Sequence, residues 1–404
     1  AVVSRRVLVV GAGIGGDTLA VALGRAGWDV VVAEIAPGLR TGGQTVDLRG
    51  PAAEVLDRTG LLDECRRHLV PQRGIAWVDA QGRRLAEMPV EAFGGQGFVS
   101  RDELLRTDLA RVLHAATGPT VEHRFSETVT RLEAQSHGVL VEFRRHAPET
   151  FDLVVGADGT RSRVRALTFG PEERFRRPLG LAHAWFTVQE QASTPALDGW
   201  ALVHNAPGSR LVGVRPGHPG QQEVGFSFPA QTLPDRRDRP AQDALLRDTF
   251  SEVGWRAPEL LDGLLGVDDL ALDTFDQIHT DRWSDGRVVL LGDSAWCASP
   301  LSGLGTALAL EGAYVLSELL VAGSSGGTTV ETTLARYEQV MRPRTTAAQR
   351  LLPGRVPSYA PRTVFGIRAA TTVYRLVQTP PAVAVLGRIA ARSGHASGLP
   401  DLAA

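Results

Sequence analysis

The chain has 404 residues, too many for one small domain and enough for two or three lobes. Apolar residues make up 43% and charged residues 22%, an ordinary balance for a globular protein. The net charge of -2 gives no reason to expect nucleic acid or an anionic membrane as a partner.

The first element is Arg6-Val7-Leu8-Val9-Val10, read as a buried strand. Gly11-Ala12-Gly13-Ile14-Gly15-Gly16 follows at once and opens an apolar helix ending near Gly27. Trp28 to Ala33 is the next strand, and Glu34 ends it. Together they form a dinucleotide-binding fingerprint. Gly11 makes the tight turn, Gly13 lets a pyrophosphate reach the helix N-terminus, and Gly16 allows close helix–strand packing. Glu34 lies where an acid reaches a ribose 2′-hydroxyl, and its charge disfavours a 2′-phosphate there.

The polar, glycine-rich stretch from Arg40 to Gly50 reads as a loop bordering the ligand. Short helices start at Pro51 and Leu61, and short strands with turns fill Val70 to Gln96. Ser100 and Glu103 have the spacing of a capping box, which predicts a helix from Ser100 to about His114. Arg101 then stands in its first turn, unfavourable against the helix dipole, and calls for an anionic or polar partner. Strands are expected at about Val121–Phe125, Thr128–Ala134 and Gly138–Arg144. A second buried strand, Phe151 to Gly156, closes on Ala157-Asp158-Gly159 and leads to a helix with Ser162 and Arg165 in its first turns.

From about Leu179 the texture becomes alternating, as in a sheet with one wet face. Trp185, Phe186, Trp200, Phe226 and Phe228 lie here. Helices follow at Ala241–Val253 and Ala257–Leu265, then a strand around Leu270–Ile278. Val288 to Leu291 is again a buried strand, ended by Gly292-Asp293. A loop with Pro300, Gly303 and Gly305 then opens a long helix to about Leu320. The tail carries a helix near Thr329–Gln349 and Pro-punctuated helices to about Ala391. Cys65 and Cys297 make neither a disulfide framework nor a metal-ligand spacing, so no metal and a reduced, cytoplasmic setting are expected. No apolar run reads as a membrane span, and no signal-peptide core is read at the N-terminus.

Three stretches taken together resemble the FAD-dependent class A aromatic monooxygenases of the para-hydroxybenzoate hydroxylase type. They are Gly11-x-Gly13-x-x-Gly16 with Glu34, Asp158-Gly159-x-x-Ser162-x-x-Arg165, and Gly292-Asp293 with Pro300, Gly303 and Gly305. The nearest subgroup in texture is the antibiotic-tailoring and tetracycline-modifying hydroxylases. The resemblance implies an α/β fold: a Rossmann-type FAD-binding domain, an inserted β-sheet substrate domain and C-terminal helices. The corresponding division is 1–70, 98–175 and 270–345 for FAD, 71–97 and 176–269 for substrate, and 346–404 for the helical tail.

The resemblance also assigns residues. Glu34, with Ile35, would hold the adenosine ribose. Gly11, Gly13, Ile14, Gly15, Gly16 and Asp158 would lie at the pyrophosphate. Arg40, Gln44, Arg101 and Leu105 would border the phosphate and ribityl region. Gly292 and Asp293 would bind ribityl hydroxyls, and Pro300, Gly303, Leu304, Gly305 and Thr306 would meet the flavin ring. Asp47, Trp185, Phe226, Phe228 and Trp296 would touch substrate. No general base can be named; His183 and His204 are weak candidates, with His279 behind them, because an isolated strand histidine is more often structural. Trp296 stands where many members have histidine.

The implied reaction is hydroxylation of a bulky, polycyclic, polyketide-like aromatic substrate. Non-covalent FAD would be reduced by NADPH or NADH as a visiting co-substrate, and O2 would then form a C4a-hydroperoxide. Glycines 42, 43, 303 and 305 would let the flavin move, so that substrate gates its reduction. A monomer or homodimer is expected. Rival readings are a FAD-dependent dehydrogenase or reductase on the same scaffold, and a non-catalytic flavin- or ligand-sequestering protein. A flavin-dependent halogenase is disfavoured, since that chemistry uses an active-site lysine and the chain has none.

Overall fold

The computed structural model describes residues 5–39, 44–95, 97–351, 353–379 and 398–402. Arg40, Gly42 and Gly43 lie outside the described residues.

Two sheets carry the architecture. The first has six strands in the order Ser284–Asp285, Val288–Leu290, Leu153–Gly156, Arg6–Val10, Asp29–Glu34 and Val121–Phe125. All neighbours are parallel except the outer pair Ser284–Asp285 and Val288–Leu290. Parallel strands buried on both faces read as unbroken apolar runs, which is why Arg6–Val10 and Leu153–Gly156 are legible in the sequence. Helices Ile14–Arg25 and Gly305–Gly326 pack on this sheet, and Val7, Leu8, Val9, Val155, Leu290 and Leu316 belong to one core cluster.

Helix Gly305–Gly326 corrects one expectation. Its length and mean hydropathy of 1.3 would suffice for a membrane span. Half of that apolar window is buried within the fold, against helices Ile14–Arg25 and Val330–Gln349, so the apolar composition serves the core.

The second sheet has seven strands: Ala271–Ile278, Arg176–Gln189, Gln221–Pro229, Arg210–Pro216, Trp200–Ala206, Gly74–Val78 and Arg84–Pro89. Strand Ala271–Ile278 pairs along Arg176–Gln189, so it belongs to this sheet although it lies beyond position 270. One face is covered by helices Arg239–Phe250 and Ala257–Gly263, whose Leu246, Phe250, Leu260 and Leu261 pack on Ala184, Phe186, Val212 and Phe226. The other face turns toward the six-stranded half. There Leu181 and Phe275 of the sheet join Leu301, which follows the Gly292-Asp293 turn. A second tie is the ion pair from Arg215 to Glu103, 2.5 Å.

The stretch 100–105 is not helical. Glu103–Leu105 is a short strand paired with Thr45–Asp47, and the helix starts at Arg106 and ends at Ala115. Half of the capping box forms, since Glu103 Oε1 accepts from the Ser100 N–H at 2.9 Å. The Ser100 hydroxyl instead donates to Asp47 Oδ1 at 2.9 Å, and strand pairing claims the residues that the pattern gave to a first turn.

Candidate functional site

The six-stranded sheet brings three turns to one edge. Strands Arg6–Val10 and Leu153–Gly156 are neighbours, so Gly11 abuts Ala157. A Cβ on Gly11 would sit 2.4 Å from Ala157 O, and its φ of +108° also favours glycine. A Cβ on Gly16 would lie 2.0 Å from Gly11 O, which enforces the close helix–strand contact. Gly13 differs, because a Cβ there would meet nothing within 4 Å. Protein packing therefore demands glycine at 11 and 16, whereas at 13 the open space itself is the feature.

Glu34 stands at the end of its strand. Its carboxylate accepts from the N–H of Ala12 and of Ala36, both at 2.8 Å. The acid is thus held beside the glycine turn, with Ile35 exposed next to it. Asp158 caps the helix Arg163–Thr168, accepting from Ser162 Oγ at 2.5 Å and from the N–H of Arg163 at 2.6 Å and Val164 at 3.1 Å. Burial pushes its carboxyl up, against these donors. Arg165 is buried and donates to Thr160 O at 2.6 Å and Ser294 O at 2.8 Å. The Asp-Gly and Gly-Asp turns are therefore one hydrogen-bonded unit.

Asp293 opens a short helix, Asp293–Trp296, behind Gly292 at φ 71°. Burial pushes its carboxyl up and the Arg106 charge draws it down. A Cβ on Gly305 would lie 4.0 Å from Asp293 Oδ1, so the carboxylate faces the start of the long helix. Between them Ser299, φ 76° and ψ 149°, holds a backbone conformation rare for a residue with a side chain. Pro300, Gly303 and Leu304 are exposed beyond it, and Gly305 and Thr306 are half-buried. The edge thus offers open space at Gly13, an acid at each end, and the exposed Gly303 before a helix N-terminus. A flavin dinucleotide fits these features.

Arg106 is the residue that the sequence reading missed. Its N–H donates to Gln44 O at 3.0 Å, and its charge acts on Asp293. Arg101, the residue expected there, is exposed and paired with Glu91. The misplaced helix start is the reason. Leu105 is buried as the N-cap of the true helix.

The sheet residues divide by pleat. Trp185 pairs with Gly225, Gly225 with Gly213, Gly213 with Val203, and Val203 with Trp77. Directly paired residues share a face. One face of the sheet therefore carries two tryptophans separated by two glycines and a valine, and at the Trp77 end that face is covered by Tyr374. They stand about 19 Å apart at ordinary strand spacing. Trp77 stacks on Tyr374 with centroids 4.0 Å apart. A Cβ on Gly225 would lie 2.8 Å from His183 Nε2, and one on Gly213 would meet nothing closer than 3.8 Å.

Phe226 and Phe228 point the other way. They are buried against Phe250, at 4.6 and 5.8 Å between centroids, on the helix-covered face. His204 shares that face, opposite Val212, and is bonded through Nδ1 to Val78 O at 3.0 Å. Trp296 is a core residue, 4.6 Å from Trp283 and beneath Gly312. None of these four lies on the face expected to meet substrate. The Asp47 carboxylate is taken up by Arg49 and Ser100. His279 is exposed and bonded to Gln277 at 3.0 Å.

His183 lies on the flavin-facing side with Trp185. Its Nδ1 is hydrogen-bonded to Ser227 Oγ at 2.5 Å, and that hydroxyl to Tyr359 OH at 2.8 Å. The ring stacks on Phe275, 5.6 Å between centroids. Its Nε2 is buried and has no partner among the described residues. Burial pushes the imidazole down to about 3, so it is neutral at physiological pH.

Fold and site together define a flavin-nucleotide-binding protein with a separate aromatic-walled sheet. Residues 4–351 match the FAD-binding-domain family, and the chain belongs to it. It is a FAD-dependent monooxygenase, with FAD as its cofactor. Relatives include a FAD-dependent monooxygenase, asL4, of Sarocladium schorii, 35% identical over 77% of this chain and 74% of its own. A flavin-dependent monooxygenase of Legionella longbeachae is 34% identical over 79% of this chain and 82% of its own. An uncharacterized Mycobacterium tuberculosis protein is 42% identical over 79% of this chain and 86% of its own. Among solved structures, the tetracycline destructase Tet(51) superposes with a TM-score of 0.77 at 27% identity, covering 93% of this chain and 97% of its own. HpxO of Klebsiella pneumoniae, in complex with FAD and uric acid, shares the fold at 23% identity and a TM-score of 0.72, covering 98% and 97%.

Proposed function

We propose that this chain hydroxylates a flat, bulky, polycyclic aromatic substrate of polyketide type at the expense of NADPH or NADH and O2. The observation that carries this reading is the half-buried Trp185 on the face toward the flavin half, two strands from Gly213, where a Cβ would meet nothing closer than 3.8 Å. The indole beside that bare stretch of sheet suits a flat ring system, while Gly225 lies beneath the His183 and Trp185 rings and Trp77 beneath Tyr374. The tetracycline named for Tet(51) is a polycyclic polyketide, which supports the same substrate class.

Bound FAD would supply hydride acceptance and oxygen activation. The backbone at Gly303, Leu304 and Gly305, at a helix N-terminus, would hold the flavin's electron-rich edge. Asp293 would accept from ribityl hydroxyls, Arg106 would flank them, and Glu34 would receive the ribose. Leu181, Phe275, Leu301 and Tyr359 would exclude water from the ring face. His183 would give the substrate a hydrogen bond from Nε2 while staying neutral, which replaces the general-base role first considered for it. We place the domain boundary after strand Ala271–Ile278, with 71–97 and 176–278 as the substrate part. A cytoplasmic, antibiotic-related role as monomer or homodimer follows the same reading.

The test is a screen of polycyclic phenols with the holoprotein, following NADPH and NADH oxidation and product mass. Substrate-stimulated oxidation with a gain of one oxygen is expected. Tight phenol binding without nicotinamide or O2 consumption would favour the sequestering protein instead. Oxidation with no oxygen gained in product would favour the reductase.

A further inference from the structure

Beside the glycine fingerprint, three elements bring Asp17, His114 and His123 together. Asp17 sits in the first turn of helix Ile14–Arg25, one residue past the glycine fingerprint. His114 lies in the last turn of helix Arg106–Ala115, and His123 on the edge strand Val121–Phe125. Asp17 is 1% exposed, so its carboxylate needs compensation. What it has is two imidazoles. His123 Nε2 lies 3.0 Å from Asp17 Oδ1, and His114 Nδ1 lies 3.7 Å from Asp17 Oδ2. The second contact is too long for a hydrogen bond, and both Asp17 Oδ2 and His114 Nδ1 are buried without a hydrogen-bond partner among the described residues. Two unpaired ligand atoms thus face one another inside a packed interface.

We propose that Asp17, His114 and His123 bind one divalent transition-metal ion, Zn2+ being the best match. One ligand atom from each residue falls within 4.8 Å of the others. Zinc bonds of about 2.0–2.2 Å in a tetrahedron place ligand atoms roughly 3.3–3.6 Å apart. His123 approaches Asp17 Oδ1 at 3.0 Å and His114 approaches Oδ2 at 3.7 Å, so a carboxylate turned between the two imidazoles would bring all three residues onto one ion. Two nitrogens and one carboxylate select zinc or its neighbours over magnesium or calcium, which prefer all-oxygen sets. His114, its side chain 32% exposed, is the ligand nearest solvent and supplies the entry path, and water would complete the coordination. The ion would tie the fingerprint helix to the strand and helix that flank it. None of its ligands belongs to the seven-stranded sheet, so its role is structural.

The experiment uses the full-length holoprotein after chelator treatment. Titration with Zn2+ should give one site per chain, and Tm should rise by about 2–4 °C. Co2+ should give d–d bands of a nitrogen- and oxygen-ligated ion at wavelengths beyond the flavin absorption. Mg2+ should do neither. His123→Ala and Asp17→Asn should abolish Zn2+ binding, with flavin content and circular dichroism checking the fold. His114→Ala, at the half-exposed position, should weaken binding at least tenfold even if the buried variants fail to fold. Absence of a stoichiometric Zn2+ site, or affinity unchanged in His114→Ala, would overturn the proposal.

Discussion

The two halves of the site specify their residues in different ways. On the nucleotide side a residue is fixed by contact with backbone: a Cβ at Gly16 would stand 2.0 Å from a carbonyl oxygen that cannot yield. On the sheet side a residue is fixed by which face its pleat gives it, and either face accepts an aromatic ring. The first kind of specification is local and leaves a motif. The second is tertiary, because the helices Arg239–Phe250 and Ala257–Gly263 decide which face is covered.

The largest expected effect comes from breaking the backbone contact. Gly16→Ala should yield a chain that is unfolded or flavin-free, since overpacking against backbone has no side chain to move. Gly13→Ala separates packing from binding. Its φ of -82° suits alanine and its Cβ meets no neighbour, so apoprotein stability should fall by less than about 1 kcal/mol. FAD affinity should nonetheless drop sharply. Thermal unfolding of apoprotein and fluorescence titration with FAD measure the two. Equal losses in both variants would mean that the fingerprint is only a packing device.

The sheet offers the matching contrast. Phe226 is fully buried on the helix side, so Phe226→Ala should cost about 3–5 kcal/mol in denaturant unfolding while changing KM little. Trp185, only half-buried on the other face, should show the reverse. Trp185→Ala should raise KM for the substrate with a smaller stability loss. A Phe226 variant with normal stability and a raised KM would exchange the two faces.

Legibility follows the same division. The three glycine–acid turns were readable because each sits at the end of an unbroken apolar strand and each needs a particular residue type. The sheet was readable as alternation, but Trp185, Phe226 and Phe228 were all given to the substrate side. Phe226 and Phe228, with His204, lie on the helix-covered face instead, because aromatic content reveals hydrophobicity and not facing. Trp77, Gly213 and Gly225 escaped notice because their meaning depends on register across five strands. Arg106 was lost to a capping-box pattern whose Glu103 folds as strand.

A further prediction concerns charge on the open face. Glu223 is buried beside Thr187, and burial, with Asp269 adding repulsion, pushes its carboxyl up to about 7 from 4.5. The native state therefore holds a proton that the unfolded chain releases above pH 4.5. Stability from this group is full below that value and is lost as pH rises toward 7. The change is on the order of 3 kcal/mol across the window. Glu311, pushed up to about 7 by burial, acts in the same sense. Glu223→Gln should flatten the decline without removing it. Urea unfolding at pH 5 and pH 7.5 measures this, and an unchanged slope would place the pH dependence elsewhere.

The smallest stability effect separates two arginines. Arg101 and Glu91 are both exposed, with side chains 71% and 60% accessible, and exposed pairs of long side chains are strongly screened. Arg101→Ala should leave Tm and FAD affinity where they were. Arg106 starts the helix whose N-terminus borders Gln44, and its charge reaches Asp293 at the turn expected to hold the ribityl chain. Arg106→Ala should weaken FAD by about tenfold, the equivalent of roughly 1.4 kcal/mol, again with little change in apoprotein Tm. Arg106→Lys should recover part of that loss, because the charge returns without the planar fork. Flavin retention measured for the three variants side by side decides the matter. Loss of FAD in Arg101→Ala with retention in Arg106→Ala would restore the placement that the sequence pattern alone implied, and would mean that the Glu91 pair opens when flavin binds.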